Sequence, residues 1–282
     1  VTDQFAGIAA KVAAQASRPH SIEVSPDGLG EPLLYPRLFD ALALVRAKIP
    51  AAHIHLNTNG IGMDEAMVGR ILASELDAVT VSLNTWGWGR YEQLHRADLF
   101  GQVVGNACAL LDAKASKALP RPRVTVQILG VKMNARMVEE FKRFWTRQGA
   151  DSATVRPFIP LSHRIRELMP EEEQAAYVEL LGLDDSVANI KRYPCPALWG
   201  SVMVDIEGWI YPCCYGVWCG RGHAITLGNI GELTVEEAYT RNVPTLRGLH
   251  MLGLWGGITG CDRCNFWAAM PNIHLGIGER WL

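Results

Sequence analysis

Apolar and polar residues alternate with a period of two in five short runs, at 22–25, 54–58, 79–84, 124–129 and 153–156. Such runs, bounded by turn residues, predict β-strands. Between them the period lengthens to that of a helix: Leu38, Leu42, Val45 and Ile49 share one face, as do Val138, Phe141, Phe144 and Trp145. Asp64-Glu65 places acid where a helix N-terminus favours it. Strands that alternate with helices predict a parallel sheet and an α/β fold.

The parity of the strands adds to this. One set of alternating side chains is apolar (Ile22 and Val24; Ile54 and Leu56; Val79, Val81 and Leu83; Val124, Val126 and Ile128) and suits packing beneath the helices. The other set is polar: Glu23, Ser25, His53, His55, Asn57, Asn59, Thr80, Ser82, Asn84, Thr125, Gln127, Thr154 and Arg156. A closed eight-stranded barrel fills its interior with bulky branched side chains. A polar inner face therefore predicts an incomplete barrel that opens onto a ligand. The competing reading, an antiparallel sheet with one wet face, is disfavoured by the intervening helices. His53 and His55 share that inner face, where hydrogen bonding is expected rather than metal ligation.

Around Pro194 the pattern changes to a hairpin, a glycine-rich loop and an aromatic knuckle, which predicts a first domain over 1–185 and a second over 186–282. Residues 202–205 run up, Glu207-Gly208 turn, and 209–211 return. The spacing Cys195-x12-Gly208-x4-Cys213 thus folds Cys213 back toward Cys195, and Cys261-x-x-Cys264 presents two sulfurs on one short turn. By softness, four thiolates suit zinc and an iron–sulfur cluster equally well. Cys108 lies on an apolar helical face with Phe100, Val104 and Leu111 and reads as core. Cys214 follows a ligand candidate, so its side chain is expected to point away from the metal, and Cys219 is the second spare thiol; either could instead be an inert packing cysteine.

Composition narrows the function classes. With 49% hydrophobic and 20% charged residues over 282 positions, the chain reads as an ordinary globular protein. A net charge of −2 argues against general nucleic-acid binding. No apolar run reaches the length of a membrane span. Seven cysteines, an odd number gathered mostly in one metal-like constellation, point to a reducing, cytoplasmic setting rather than to a disulfide scaffold. Of the nine tryptophans, Trp86 and Trp88 follow the run at 79–84 and most of the others crowd the last third of the chain. Trp86 is a candidate substrate contact, with core packing as the alternative. Glu23 and Asp27 are candidates to engage amino groups of a cationic sugar, or else to cap a turn or bind an arginine.

Three short motifs, each at a predicted strand end, carry a family resemblance. Gly30-Glu31-Pro32 resembles the G-E-P motif of radical S-adenosylmethionine enzymes, Asn57-Thr58-Asn59-Gly60 is similar to their T-N-G strand end, and Val81-Ser82-Leu83-Asn84 to their S-x-N motif. The spaced cysteines resemble the twitch domain, the shorter relative of the SPASM domain, so the resemblance covers nearly the whole chain. It implies an open partial (β/α)6 TIM-type barrel followed by a small cluster-binding twitch domain. It also implies an S-adenosylmethionine site at Gly30, Glu31, Pro32, Asn59, Ser82, Asn84 and Gln127, and an auxiliary [4Fe–4S] cluster on Cys195, Cys213, Cys261 and Cys264. An external one-electron reductant such as flavodoxin or ferredoxin would be a partner.

The family holds its catalytic [4Fe–4S] cluster with C-x3-C-x2-C ahead of the G-E-P strand, yet no cysteine precedes Cys108 here. The expectation is that the first strand and cluster loop belong to a preceding segment of the parent protein; the rival is a degenerate barrel serving as a scaffold or recognition subunit. For an intact enzyme the resemblance implies hydrogen abstraction by a 5′-deoxyadenosyl radical. The favoured outcome is epimerisation of an aminoglycoside-like sugar in antibiotic biosynthesis, with Cys214 returning a hydrogen atom. The alternatives are an amino-cyclitol dehydrogenase that uses the auxiliary cluster as electron acceptor, and a peptide maturase.

Overall fold

The computed structural model describes residues 23–26, 28, 30–95, 97–129, 133–156, 192–219, 225–262 and 264, without the side chains of 88, 90, 94, 218 and 219. The described residues fall into two compact units, one up to residue 156 and one from residue 192. The expected boundary near 185 lies outside the described residues.

In the first unit, β1 (Glu23–Val24), β2 (His53–Thr58), β3 (Ala78–Asn84), β4 (Arg123–Leu129) and β5 (Ser152–Arg156) pair in that order, all parallel. The helices Leu38–Lys48, Glu65–Leu72, Phe100–Ser116 and Ala135–Arg147 supply the crossovers, and Trp88–His95 is an added helix before Phe100. A parallel sheet whose strand order follows the chain is the wall of a (β/α) barrel; a doubly wound sheet would reverse direction. These five strands coincide with the five runs expected from the sequence; the first strand of the expected (β/α)6 barrel is the one expected in a preceding segment.

The predicted parity is realised in β2 to β4. Ile54, Leu56, Val79, Val81, Val124, Val126 and Ile128 are fully buried, as are Leu42, Ile71, Val103, Leu110, Phe141 and Trp145 on the helices. His55, Ser82 and Gln127, on the opposite face, are half-buried. Asp64 caps its helix through Met67 N (2.8 Å) and Asn134 caps the next through Met137 N (3.0 Å).

Two expectations change. The buried stripe of Phe100–Ser116 is Phe100, Val103, Ala107, Leu110 and Leu111, a cleaner helical repeat than the one through Val104 and Cys108. Cys108 is half-buried beside that stripe, and burial, with Asp112 second, raises its thiol pKa. Trp86, the candidate substrate contact, packs its indole against Phe100, Phe141, Phe144 and Trp145 at ring separations of 5.2 to 6.3 Å. Aromatic packing on the helices claims that side chain.

In the second unit the predicted hairpin forms between β6 (Met203–Val204) and β7 (Trp209–Tyr211), and β8 (Gly228–Asn229) adds a third antiparallel strand. Gly208 turns the hairpin at φ 85°, where a Cβ would stand 3.1 Å from Asn229 Oδ1. Asp205 Oδ1 accepts from Glu207 N and Trp209 N, both at 2.9 Å. The Tyr211 hydroxyl donates to Asp205 Oδ2; burial and that carboxylate push its pKa up to about 12. The helix Val235–Met251 opens on a capping box of Thr234 and Glu237 and lays Ala238, Val243 and Leu246 onto a core shared with Leu198, Ile210, Leu227, Ile230 and Ile258.

Asp77, entering β3, ties the first unit together. It accepts from Ile54 N (2.9 Å) and Arg121 Nη1 (2.8 Å) and pairs with Arg46. Burial alone would raise its pKa, but the Ile54 N–H and the two guanidinium groups outweigh that and hold it at about 2. A folded-state pKa below the unfolded value gives stability that is complete above about pH 4 and is lost as the pH falls through about 2. Asp77→Asn is therefore expected to lower stability by about 2 kcal/mol at pH 7. Urea unfolding of variant and wild type should give values that converge as the pH is brought toward 2.

Candidate functional site

The loop after β1 and the end of β2 are joined through one carboxylate. Glu31 Oε1 accepts from Thr58 Oγ1 (2.6 Å) and Leu33 N (3.2 Å), while Oε2 accepts from Asn59 N (2.8 Å). Thr58 Oγ1 in turn accepts from Gly60 N (3.1 Å), and Asn59 Oδ1 from Ile61 N (2.9 Å). The G-E-P and T-N-G segments are thus one hydrogen-bonded unit. Pro32 is buried in the short 3-10 turn that follows. Gly60 has φ 75°, and a Cβ there would come within 3.0 Å of Val81 Cγ1. Among the described residues no atom lies within 4 Å of where a Cβ on Gly30 would stand.

Ser82 and Gln127 face one another in the register of β3 and β4. The register shifts between Ser82 and Asn84, and Asn84 takes φ 64°, a left-handed conformation that asparagine tolerates better than most residues. The strand therefore changes direction at its carboxyl end, the end at which α/β folds commonly bind ligands. Deeper on the same face, His55 Nε2 lies 2.8 Å from Thr80 Oγ1, and its Nδ1 is 3.6 Å from Glu23 Oε1. His53 Nδ1 is 3.9 Å from Asp77. His55 is thus held by a neighbouring side chain, whereas His53 is about half exposed. Arg156 ends β5; burial lowers its pKa, and attraction to Glu23 opposes that. Asp27 lies outside the described residues.

Cys195, Cys213, Cys261 and Cys264 line a single cavity in the second unit. Each comes from a different local cause: Cys195 precedes the short helix Ala197–Gly200, Cys213 follows β7, and Cys261 and Cys264 close a turn in which Cys264 N donates to Cys261 O (3.3 Å). Burial raises the Cys213 thiol pKa well above its ordinary value and that of Cys195 less strongly. Buried thiols of this kind become thiolates when a cation compensates them. A zinc ion would draw four sulfurs to about 2.3 Å from one centre. Among the described residues no three His, Cys, Asp or Glu side chains converge in that way. Four thiols lining one cavity are a donor set that suits an iron–sulfur cluster or zinc.

Among the other residues lining the cavity are Arg192 and His250, and the sequence carries no spacing signal for either. Arg192 Nη2 donates to Cys261 O (2.7 Å), its guanidinium lies 4.8 Å from the Trp255 ring, and burial lowers its pKa while Cys264, Cys261 and Cys195 oppose that. His250, 1% exposed, accepts from Cys195 N at Nδ1 (3.3 Å). Its Nε2 has no hydrogen-bond partner among the described residues, an arrangement that costs about 1–3 kcal/mol for a buried donor.

Cys214 begins the helix Cys214–Cys219 and does not line the cavity, but it is close enough to Cys195 and Cys213 to raise the pKa of both. It sits beside the ligand candidates rather than well away from them. The side chain of Cys219 and the loop 220–224 lie outside the described residues.

No family model matches the chain. It is 28% identical over 207 residues to the GTP 3′,8-cyclase of Mycobacterium ulcerans (strain Agy99), an alignment covering 68% of this chain and 52% of that protein. It is 33% identical over 104 residues to the GTP 3′,8-cyclase of Corynebacterium glutamicum (strain R), covering 36% of this chain and 26% of the relative. The chain spans about half the length of the first of these curated relatives. Among solved structures, BtrN in complex with AdoMet and 2-DOIA superposes with a TM-score of 0.53 at 15% identity, covering 93% of this chain and 79% of that one. Native anSMEcpe with bound AdoMet gives 0.59 at 15%, covering 95% and 78%, and Streptococcus suis SuiB bound to precursor peptide SuiA gives 0.55 at 13%, covering 93% and 63%. The fold is theirs. No helix among the described residues is long and apolar enough to cross a membrane.

Glu31→Ala is expected to lower stability by about 1–3 kcal/mol, because it strips the acceptor from three donors. Hydrogen exchange gives the specific readout: the Asn59 amide should lose protection while amides in the middle of β3 keep theirs.

Proposed function

We propose that the chain forms the core of a radical S-adenosylmethionine enzyme that oxidises a small polar substrate and carries an auxiliary [4Fe–4S] cluster on Cys195, Cys213, Cys261 and Cys264. The observation that carries this reading is the meeting of those four cysteines around one cavity, in a fold shared with BtrN, whose complex holds AdoMet and 2-DOIA. Bound S-adenosylmethionine, cleaved with one electron from an external reductant, would supply hydrogen-atom abstraction, and the cluster would accept one further electron from the substrate, which with loss of one proton amounts to two-electron oxidation of an alcohol carbon to a carbonyl. The sequence contains no C-x3-C-x2-C triad, so no step is assigned to a catalytic cluster here.

The chain's own residues have separable roles. Glu31 holds the turn Gly30-Glu31-Pro32 against Asn59 with its carboxylate consumed, so that segment meets the methionyl end through backbone and through the open space beside Gly30. Ser82 and Gln127 provide polar groups on one face, with Asn84 just beyond them at the strand end, and Glu23 with Arg156 offers charges of both signs to a zwitterionic or aminated substrate. Four thiolates leave no vacant iron position, which suits electron transfer rather than substrate ligation.

Epimerisation with Cys214 as hydrogen donor is less well supported, because that residue does not line the cysteine cavity. A nucleotide substrate is the second reading, on the 28% identity to a GTP 3′,8-cyclase.

Anaerobic reconstitution should load about four irons per wild-type chain and lose them in Cys261→Ala; stoichiometric zinc, or full iron in the variant, would contradict the ligand set. Incubation of the full protein with S-adenosylmethionine, a reductant and an amino-cyclitol in deuterated water should give 5′-deoxyadenosine and an oxidised, unlabelled product. A deuterated, inverted product would favour the epimerase, and turnover of GTP alone the nucleotide reading.

A further inference from the structure

The buried imidazole of His250 is a polar group in the cysteine cavity that the proposed cluster ligation leaves unexplained. It stands in the last turn of the helix Val235–Met251, is 1% exposed, and lines the cavity with the four cysteines. Nδ1 accepts the Cys195 backbone N–H at 3.3 Å, so Nδ1 carries no proton. In the neutral ring the proton then resides on Nε2. The other ring nitrogen thus becomes a donor, fully enclosed and with no acceptor among the described residues. An anionic sulfur-rich group in the cavity would supply the acceptor.

We propose that His250 donates its Nε2–H to a sulfur of the cysteine-held cluster and thereby raises the cluster's reduction potential. This rests on the auxiliary-cluster reading above. A hydrogen bond to a cluster sulfur stabilises the more negative, reduced state, so a donor here makes the cluster a better electron acceptor. Arg192, whose guanidinium is held in the same cavity by Cys261 O and the Trp255 ring, acts in the same direction through its charge. The Cys195–His250 hydrogen bond fixes the tautomer, so a ligand-bearing segment and the donor that tunes the cluster are positioned together. His250 is a positioning residue and takes no part in bond making.

The test uses His250→Phe, which keeps the bulk and removes the donor, and His250→Gln, whose amide can both accept from Cys195 N and donate into the cavity. Iron and sulfide analysis of each reconstituted chain comes first, followed by an EPR-monitored redox titration. The expected result is wild-type iron content in both variants, a shift to more negative potential in Phe, and a potential near wild type in Gln. Pulsed EPR of reduced wild-type chain carrying 15N-imidazole histidine should also show a weakly coupled nitrogen that His250→Gln abolishes; this decides the matter even if the Phe variant does not fold. An unchanged potential in an iron-replete Phe variant, or no coupled nitrogen in the wild type, would overturn the proposal. A wild-type chain that takes up zinc and no iron would remove the cluster reading and this inference together.

Discussion

Complete burial of one face of a parallel sheet is the constraint on which the first unit depends. Once Ile54, Val79, Val81, Val124 and Val126 lie beneath helices, the strict two-residue repeat of a strand leaves their neighbours no choice but the other face. Ser82 and Gln127 are brought together by that geometry and by nothing local to either. A one-residue slip would put valines into the polar interior and amides under the helices. The site and the core therefore share one register.

Carboxylates finish what burial begins. Asp77 accepts the Ile54 amide where β3 starts, Asp151 accepts the Val124 amide at 2.7 Å and Lys114 Nζ at 2.6 Å where β5 starts, and Glu31 accepts the Asn59 amide where β2 ends. In each case an N–H at the margin of the sheet meets an ionised acceptor, a stronger bond than a neutral one. Asp205 does the same inside the hairpin of the second unit. The acid residue that a motif search reads as a ligand contact, Glu31, belongs to this set.

The second unit is small, and its core of Leu198, Ile210, Leu227, Ile230, Ala238, Val243, Leu246 and Ile258 is packed against in part by Cys261. Its glycines are spent where space is shortest: a Cβ on Gly216 would approach Tyr211 Cδ1 to 2.8 Å, and one on Gly228, at φ 128°, would approach Leu233 Cδ1 to 2.5 Å. Small cores gain much from a bound group held by side chains distant in sequence. Cysteines brought in by a helix start, a strand end and a turn are such a set.

The strands, the helix start at Asp64, the hairpin around Gly208 and the C-x-x-C turn were determined by the sequence alone, because periodicity, capping and turn formation depend on residues within a few positions of one another. The grouping of Cys195 and Cys213 was legible through the hairpin between them. What only the tertiary structure decided are choices between partners far apart in the chain: Glu31 with Thr58 and Asn59, Trp86 with Phe141 and Trp145, and β8 as third strand. The arrival of His250 and Arg192 at the cysteine cavity is of the same kind. No local pattern encodes such meetings, since they depend on how long each crossover is and on which face each helix buries once the whole unit has packed.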